Sequence, residues 1–433
     1  MSAVIPFQIV IGGKDSAAYR LHASGLGRSV ESLLDLPDLS ADSDLLGAAL
    51  GRSLFPPAVR RLLLDVAQRA DQNGARVQVQ LRVVVPELAT LPWEWISLGG
   101  GGAWRPAVRD DYTLMRVARG ARPRPTLTLT APVRLLIACA PSASADSAAA
   151  LGHALASKVR AGTLVVDLLR DADPIALRNA LDDETYHALH IVAADAAGMG
   201  SAAYLSFGRS LDAPGLSNLL ATYNDLRLLT ISADQGSEIG AITSIAAAVH
   251  ERLGLATITL ADLDHTQSAT FCRPCYDALI AGNPVDLAVT DGRVALDNAG
   301  GLWGAPRLWA VPGAERLFVV VPGPTSIPVP RRPSPERVSA PVGQPIRPRQ
   351  GGEGLIRTPN QPLLRAGTAP WGSDPNRWGR QLRIAALVIA CLVLILMISQ
   401  VLPSGQGAEE LPLPSPSPSL PILTPSPLPS PAP

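Results

Sequence analysis

Short apolar runs and longer stretches of helix length alternate along the middle of the chain. The apolar runs cover residues 133–138, 164–168, 188–193, 226–231 and 255–260. The stretches between them cover residues 148–159, 173–181, 216–223 and 240–253. This alternation predicts a mainly parallel sheet with helices on both faces. Ligands of such sheets bind just beyond the carboxyl ends of the strands, which here are residues 139–146, 193–200 and 232–236.

The N-terminal part, residues 1–130, predicts a smaller mixed α/β unit. Residues 56–70 carry apolar side chains at helical spacing. Residues 76–85 alternate between apolar and polar side chains, with Gln78 and Gln80 on the polar face. We therefore expect a helix followed by a strand that has one face toward water.

Composition divides the rest of the chain into four segments. They are an α/β core (131–321), a linker rich in proline and arginine (322–383), an apolar segment (384–402) and a tail rich in proline and serine (403–433). Neither the linker nor the tail has enough apolar surface to offset the entropy lost on ordering. Both are therefore predicted to be disordered or extended.

The apolar segment predicts one transmembrane helix. It begins at Ile384 and ends at Leu402, and only Ser399 and Gln400 are polar. As a helix it spans about 28 Å, close to the thickness of the hydrocarbon core. Arginines precede it and glutamates follow it, so the positive-inside rule predicts a cytoplasmic N-terminal region and an external tail. The first residues lack the basic start and apolar run of a signal peptide, and none is expected.

Charge and cysteine content exclude some classes of function. The chain has 37 acidic and 37 basic residues, so no net field attracts nucleic acid, and we expect no nucleic-acid partner. The cysteines, Cys139, Cys272, Cys275 and Cys391, are too few for a disulfide framework and fit a reducing compartment. Cys272 and Cys275 form a lone CxxC pair, whereas structural zinc needs four ligands. No metal and no cofactor are predicted.

Five runs, in order, resemble blocks of the CHAT family of bacterial caspase-like domains. They read LATLPWEW (88–95), LMR (114–116), VRLLIACAP (133–141), FCRPCYDALIAGNPVDLA (271–288, the late helix of the family) and WGAPRL (303–308). The resemblance covers roughly residues 1–320. It implies a caspase-like α/β fold, in the clan of the caspase-, gingipain- and separase-type peptidases.

The catalytic positions of that family are altered here. Its catalytic histidine and cysteine lie at the ends of two strands, and the thiol needs the imidazole as its base. In this chain the first strand reads HIVAAD from His190, with Ala194 at the catalytic position and Asp195 in place of a glycine. The second strand reads LTISAD, with Ser232 at the nucleophile position. The resemblance therefore implies a peptidase domain that lacks both catalytic groups.

Three hypotheses follow. The first is an inactive CHAT domain, tethered to the membrane, that binds a protein or peptide at the strand ends in bacterial signalling or defence. The second is a peptidase or serine hydrolase that uses Ser232, assisted by His190 or Asp195, with Asp234 also near. It requires a base within hydrogen-bond reach of Ser232. The third is a structural membrane protein with no cleft. Strand geometry places His190 roughly 13 Å back from Ala194, as a core histidine.

The motif of Trp93, Glu94 and Trp95 has two interpretations. It could line a recognition pocket. More simply, it is a packed aromatic ledge whose carboxylate is satisfied by backbone amides or by an arginine, and Arg116 is a possible partner.

Overall fold

The computed structural model describes residues 3–15, 18–36, 43–99, 104–198, 200–233 and 237–321. The predicted linker, transmembrane helix and tail lie outside these described residues, and so does Asp234. Within the described residues, no helix is both long enough and apolar enough to cross a membrane.

The strands and helices of the described residues follow the predicted alternation. The strands are β1 (Val4–Asp15), β2 (Ala18–Gly25), β3 (Arg28–Leu34), β4 (Arg76–Val83), β5 (Tyr112–Arg116), β6 (Leu127–Thr130), β7 (Val133–Cys139), β8 (Leu164–Leu169), β9 (Ala188–Ala193), β10 (Asp195–Ala197), β11 (Tyr204–Phe207), β12 (Arg209–Asp212), β13 (Leu228–Ala233), β14 (Ala256–Leu260), β15 (Arg307–Trp309) and β16 (Phe318–Val321). The helices are α1 (Ser43–Leu54), α2 (Pro57–Gln72), α3 (Pro86–Ala89), α4 (Ala145–Arg160), α5 (Pro174–Asp183), α6 (Ala213–Leu220), α7 (Ile239–Leu253), α8 (His265–Ile280) and α9 (Val285–Asn298).

One large, mostly parallel sheet organises these elements. Its order is β3-β2-β1-β4-β5-β15-β14-β13-β9-β7-β8, and only β1–β2, β2–β3 and β14–β15 pair antiparallel. Strand β15 joins the N-terminal strands to the core strands, because it pairs with β5 on one side and with β14 on the other. The mixed α/β class with a large, mostly parallel sheet is confirmed. The boundary at residue 130 stays a prediction, since one sheet runs through both parts.

Helices cover both faces of the sheet, as predicted. One apolar cluster packs α1, α2, α4, α8 and α9 against one face, and a second packs α5, α6 and α7 against the other. Each of the five strands and four helices predicted from residue 133 onward is present, with ends shifted by a few residues. The late helix expected over 271–288 is instead two helices, α8 and α9, because Gly282 has a φ of 81° and Pro284 cannot continue a helix.

The prediction that one face of β4 is exposed to water is wrong. Gln78 and Gln80 are buried, at 2% and 5% exposure. The Gln80 amide donates to Gln78, and the Gln78 amide donates to the Asp286 carboxylate of α9 at 2.8 Å. Thr113 of β5 donates to the same carboxylate at 2.8 Å. Helix α9 therefore covers this face and satisfies its polar groups, which a pattern of alternating residues alone cannot reveal.

Helix α7 ends where the backbone requires glycine. Gly254 has a φ of 65° and its amide donates to the His250 carbonyl. A Cβ atom at this position would lie 1.8 Å from the Arg122 carbonyl oxygen. This left-handed termination leads the chain directly into β14, one of the strands whose carboxyl end carries the site.

Candidate functional site

A cleft of about 440 Å³ opens at the carboxyl ends of the core strands. Its apolar surface comes from Leu151 of α4, from Val192 near the end of β9, and from Leu263, which follows β14. The cleft therefore lies where the sequence places it for a parallel sheet. Its existence also removes the condition that would favour a purely structural membrane protein.

Two helices begin at this cleft. The Ser144 hydroxyl caps α4 by accepting from the Asp146 amide at 3.2 Å. The Asp264 carboxylate caps α8 by accepting from the Gln267 amide at 2.8 Å. Ser147 of α4 and His265 of α8, both in first turns, line the cleft, so the partial positive charge of each N-terminus lies beside it.

The first turns of these helices supply polar groups that the sequence did not single out as site residues. Ser147 of α4 and His265 and Ser268 of α8 line the cleft beside Asp264. The signal that could have found them is the capping residue that follows a predicted strand, since a helix starting there directs its first turn toward the strand ends.

Ser232 and His190 come together at the inner end of the cleft. Ser232 lies near the end of β13 at 6% exposure and lines the cleft, whereas His190 in β9 is fully buried. The two strands are parallel neighbours, and His190 Nε2 lies 3.0 Å from Ser232 Oγ. The base that the hydrolase hypothesis requires is thus within hydrogen-bond reach. The hydrolase hypothesis names His190 as one possible partner of Ser232, but the sequence alone cannot establish the contact, because it depends on the register between two strands far apart in the chain.

The tautomer of His190 can be inferred by comparing which hydrogen atoms of the pair find an acceptor. The Ser232 hydroxyl also lies 3.4 Å from the Ile191 carbonyl, and no group among the described residues forms a hydrogen bond with the buried His190 Nδ1. If Nε2–H donates to Oγ and the hydroxyl donates to the carbonyl, both hydrogens are bonded and only a lone pair on Nδ1 is unsatisfied. The opposite tautomer would bury an unsatisfied N–H. The first arrangement is therefore favoured, and in it the imidazole is a donor to the hydroxyl, not a base.

Burial also weakens the imidazole as a base. It lowers the pKa of His190 to about 3, so the ring is neutral at neutral pH. In a serine hydrolase the second ring nitrogen donates to a carboxylate that stabilises the imidazolium. Here no described group occupies that position beside Nδ1. Proton transfer from the hydroxyl would place an unpaired charge in the core.

The other sequence-predicted positions do not add a base. Ala194 directly follows β9, and its amide donates to the Ser206 carbonyl at 3.0 Å. The exposed Asp195 carboxylate accepts from the Ala196 amide at 2.7 Å, and no hydrogen bond in the described part of the chain joins it to Ser232.

Glu94 is satisfied by Arg116, as one interpretation of the tryptophan motif predicts. Two hydrogen bonds of 2.8 and 2.7 Å join the guanidinium to the buried carboxylate. Burial by itself raises the pKa of Glu94, but Arg116, with Arg307 and Arg293 nearby, outweighs it and the net pKa is lowered. The motif is a structural ion-pair centre away from the cleft, not part of it.

Cys272 and Cys275 both lie in α8 and are 1% exposed. Burial raises the pKa of both thiols, so both are protonated at neutral pH. Among the described residues, no cluster of three or more histidine, cysteine or acidic side chains is placed to hold a metal ion.

Comparisons with known proteins do not assign a family. No protein-family model matches the chain, and no curated protein matches it. Among solved structures, it is similar to a chain in two crystal structures of the Saccharomyces cerevisiae separase–securin complex, at 11% identity in both. One alignment covers 58% of this chain and 17% of that chain with a TM-score of 0.35. The other covers 60% and 18% with a TM-score of 0.32. Each spans less than a fifth of the separase-complex chain, and at these scores no residue role is transferred from it.

Proposed function

We propose that this chain is a caspase-like domain of CHAT type that has lost its peptidase chemistry and binds an extended peptide at the strand-end cleft. The observation that carries the proposal is the Ser232–His190 pair, in which the hydroxyl is held but not activated. A hydroxyl nucleophile needs a base that can accept its proton near neutral pH. A buried imidazole with a pKa of about 3, and with no partner for Nδ1 in the described part of the chain, is poorly suited to that role.

The cleft retains features that suit a peptide. Leu151, Val192 and Leu263 offer apolar contact to a side chain, and Ser147 and Ser268 offer hydroxyl groups to a peptide backbone. The partial positive charge at the two helix N-termini can attract peptide carbonyl oxygens. Loss of catalysis would leave all of these groups in place.

One observation favours a second function, which is that of a serine hydrolase. The 3.0 Å distance from His190 Nε2 to Ser232 Oγ meets the geometric requirement of a serine hydrolase. The two proposals differ in one measurable respect, which is whether Ser232 reacts with an electrophile aimed at activated nucleophiles.

Chemical labelling separates them. The full chain is treated with fluorophosphonate and acyloxymethyl ketone probes, beside Ser232→Ala and the double variant Ser232→Cys with Ala194→His. We expect no labelling of the wild type and labelling of the double variant, because a thiol and a strand-end imidazole restore the chemistry of the family. Wild-type labelling that disappears in Ser232→Ala would mean a serine hydrolase and would contradict the proposal.

Peptide binding is tested separately. A displayed library of random peptides is selected on the wild-type chain, and the selected peptides are assayed on Ser147→Trp and on Ser210→Trp. Ser147 lines the cleft, whereas Ser210 is exposed in β12, away from it. We expect binding to be lost only in Ser147→Trp, because the indole fills the cleft. Equal binding to both variants would remove the cleft from the proposal.

The membrane tether is part of the proposal and rests on residues 384–402, which lie outside the described residues. A single span there would hold the domain at the cytoplasmic face, near signalling or defence partners. We expect the full chain to stay in the membrane fraction after alkaline extraction and a chain lacking 384–402 to be released. Extraction of the full chain would contradict the tether.

A further inference from the structure

Strand β8 forms the last strand of the large sheet. It pairs with β7 on one edge, and within the described residues no strand pairs with its other edge. Its residues read LVVDLL, so Asp167 is its only charged side chain. An open strand edge presents unpaired backbone amides and carbonyls, which are a template for another strand.

The two edges of the sheet are protected to different degrees. At the opposite edge, β3 carries two charges, Glu31 and Arg28, of which Arg28 pairs with Asp65 of α2; charged side chains are typical of edges that avoid strand pairing. In β8 the single charge is neutralised, because Asp167 pairs with Arg134 of β7 at 2.9 Å. The β8 edge thus offers no unpaired charge of its own strand to an approaching strand.

Exposed apolar side chains occur in β8 and in the helices that precede and follow it in the chain. Leu168 of β8 is 41% exposed. Val159, in the last turn of α4 just before β8, is 43% exposed, and Ile175, in the first turn of α5 just after it, is 56% exposed. Leu168 lies on the edge strand itself, so a partner strand that pairs with β8 would cover it.

Charge at the two ends of β8 indicates which partner fits. Arg160 precedes the strand and makes its amino end basic, whereas the nearby Lys158 already pairs with Asp277 of α8 at 3.5 Å. Arg170, Asp171 and Asp173 follow it, so its carboxyl end is net acidic. A second copy running antiparallel would bring the basic end of one strand to the acidic end of the other. Parallel pairing of two copies would place like charges together.

We propose that two copies of this chain associate by antiparallel pairing of their β8 strands about a two-fold axis perpendicular to the sheet. Such an interface is self-complementary. A two-fold centred on Val166 keeps the helix-covered faces of both copies aligned and places each Val166 opposite its equivalent. Leu168 then lies opposite Leu164 of the second copy, and Asp167 lies opposite Val165, so no two aspartates meet.

Disulfide cross-linking tests the register. The full chain is prepared with Val166→Cys and with Cys391→Ser, since Cys139, Cys272 and Cys275 are buried. Mild oxidation should give a covalent dimer on a non-reducing gel. The matched control is Leu33→Cys in the same background, at the opposite edge of the sheet.

The expected result is cross-linking of Val166→Cys and little of Leu33→Cys. The substitution Leu168→Lys should raise the dissociation constant of the dimer at least about tenfold in sedimentation equilibrium, since the ammonium group would be buried unpaired in the interface. Leu33→Lys, which changes a 55% exposed leucine, should have no such effect. Cross-linking of Val166→Cys no greater than that of Leu33→Cys would overturn the proposal. So would equal association of the two lysine variants, and a strand from a different protein would then be the occupant to seek.

Discussion

The ion pair between Glu94 and Arg116 provides the sharpest test of the packing described above. Its carboxylate and guanidinium side chains are 1% and 5% exposed, and two hydrogen bonds join them. The substitution Glu94→Gln keeps the shape and removes the charge. It leaves Arg116 buried without a counter-ion, close to Arg293 and Arg307, which are also buried.

The expected cost follows from burial. Removing one member of a buried pair costs about 3–5 kcal/mol, because the remaining charge stays desolvated and unpaired. That is a large share of the roughly 5–15 kcal/mol that stabilises a typical domain. The exposed pair of Arg28 and Asp65 is a matched control, at 2.5 Å with side chains 64% and 46% exposed. Asp65→Asn should cost less than about 1 kcal/mol.

Urea unfolding followed by tryptophan fluorescence measures both changes, since Trp93 and Trp95 flank Glu94. The pKa of Glu94 is lowered in the folded state, so its stabilisation is present above the unfolded pKa near 4.5 and is lost as pH falls through the folded pKa. The deficit of Glu94→Gln should therefore shrink in acid. Equal costs for Glu94→Gln and Asp65→Asn at neutral pH would refute the reasoning.

Three further predictions follow from the described contacts. Gly254→Ala should lower the free energy of unfolding by about 1–3 kcal/mol, measured by urea unfolding, because its Cβ would meet the Arg122 carbonyl and its φ is 65°. Cys272 and Cys275 should resist alkylation by iodoacetamide in the native chain and react once it is unfolded in urea, because burial raises the pKa of both thiols; rapid native labelling, read by mass spectrometry, would contradict this. His190→Gln should reduce the loss of folding stability between about pH 6.5 and 3. Burial lowers the pKa of His190 to about 3, so in this range only the unfolded chain binds a proton at His190, and acid favours unfolding. Urea unfolding midpoints measured across this range should therefore fall less in the variant than in the wild type, and equal falls would contradict the burial of His190.

Local patterns predicted the core strands and helices because each buries one face or one run of apolar side chains. The same patterns could not show what covers a polar face. Gln78 and Gln80 alternate with apolar residues as they would on a wet strand, yet Asp286, about two hundred residues later, pairs with Gln78 in the core. Pairing between distant polar groups leaves no periodic signal in a single sequence.

The sequence indicated the strand ends as a candidate site but not the side chains that meet there. Strand ends located Ser232, and family resemblance located Ala194. The contact between Ser232 and His190 depends on strand register, which is set by packing across the whole sheet. Ser147 and Ser268 belong to helices whose tilt over the strand ends is likewise a tertiary property, so their convergence required the structure.

The position of β15 bears on how the chain is made. This strand of three residues, Arg307–Trp309, completes the sheet between β5 and β14, although β5 is synthesised far earlier. During translation, the edge of β5 that pairs with β15 stays unpaired until almost the whole described region has left the ribosome. We expect nascent chains that stop before residue 307 to depend on chaperones, and sheet closure to be a late event in biogenesis.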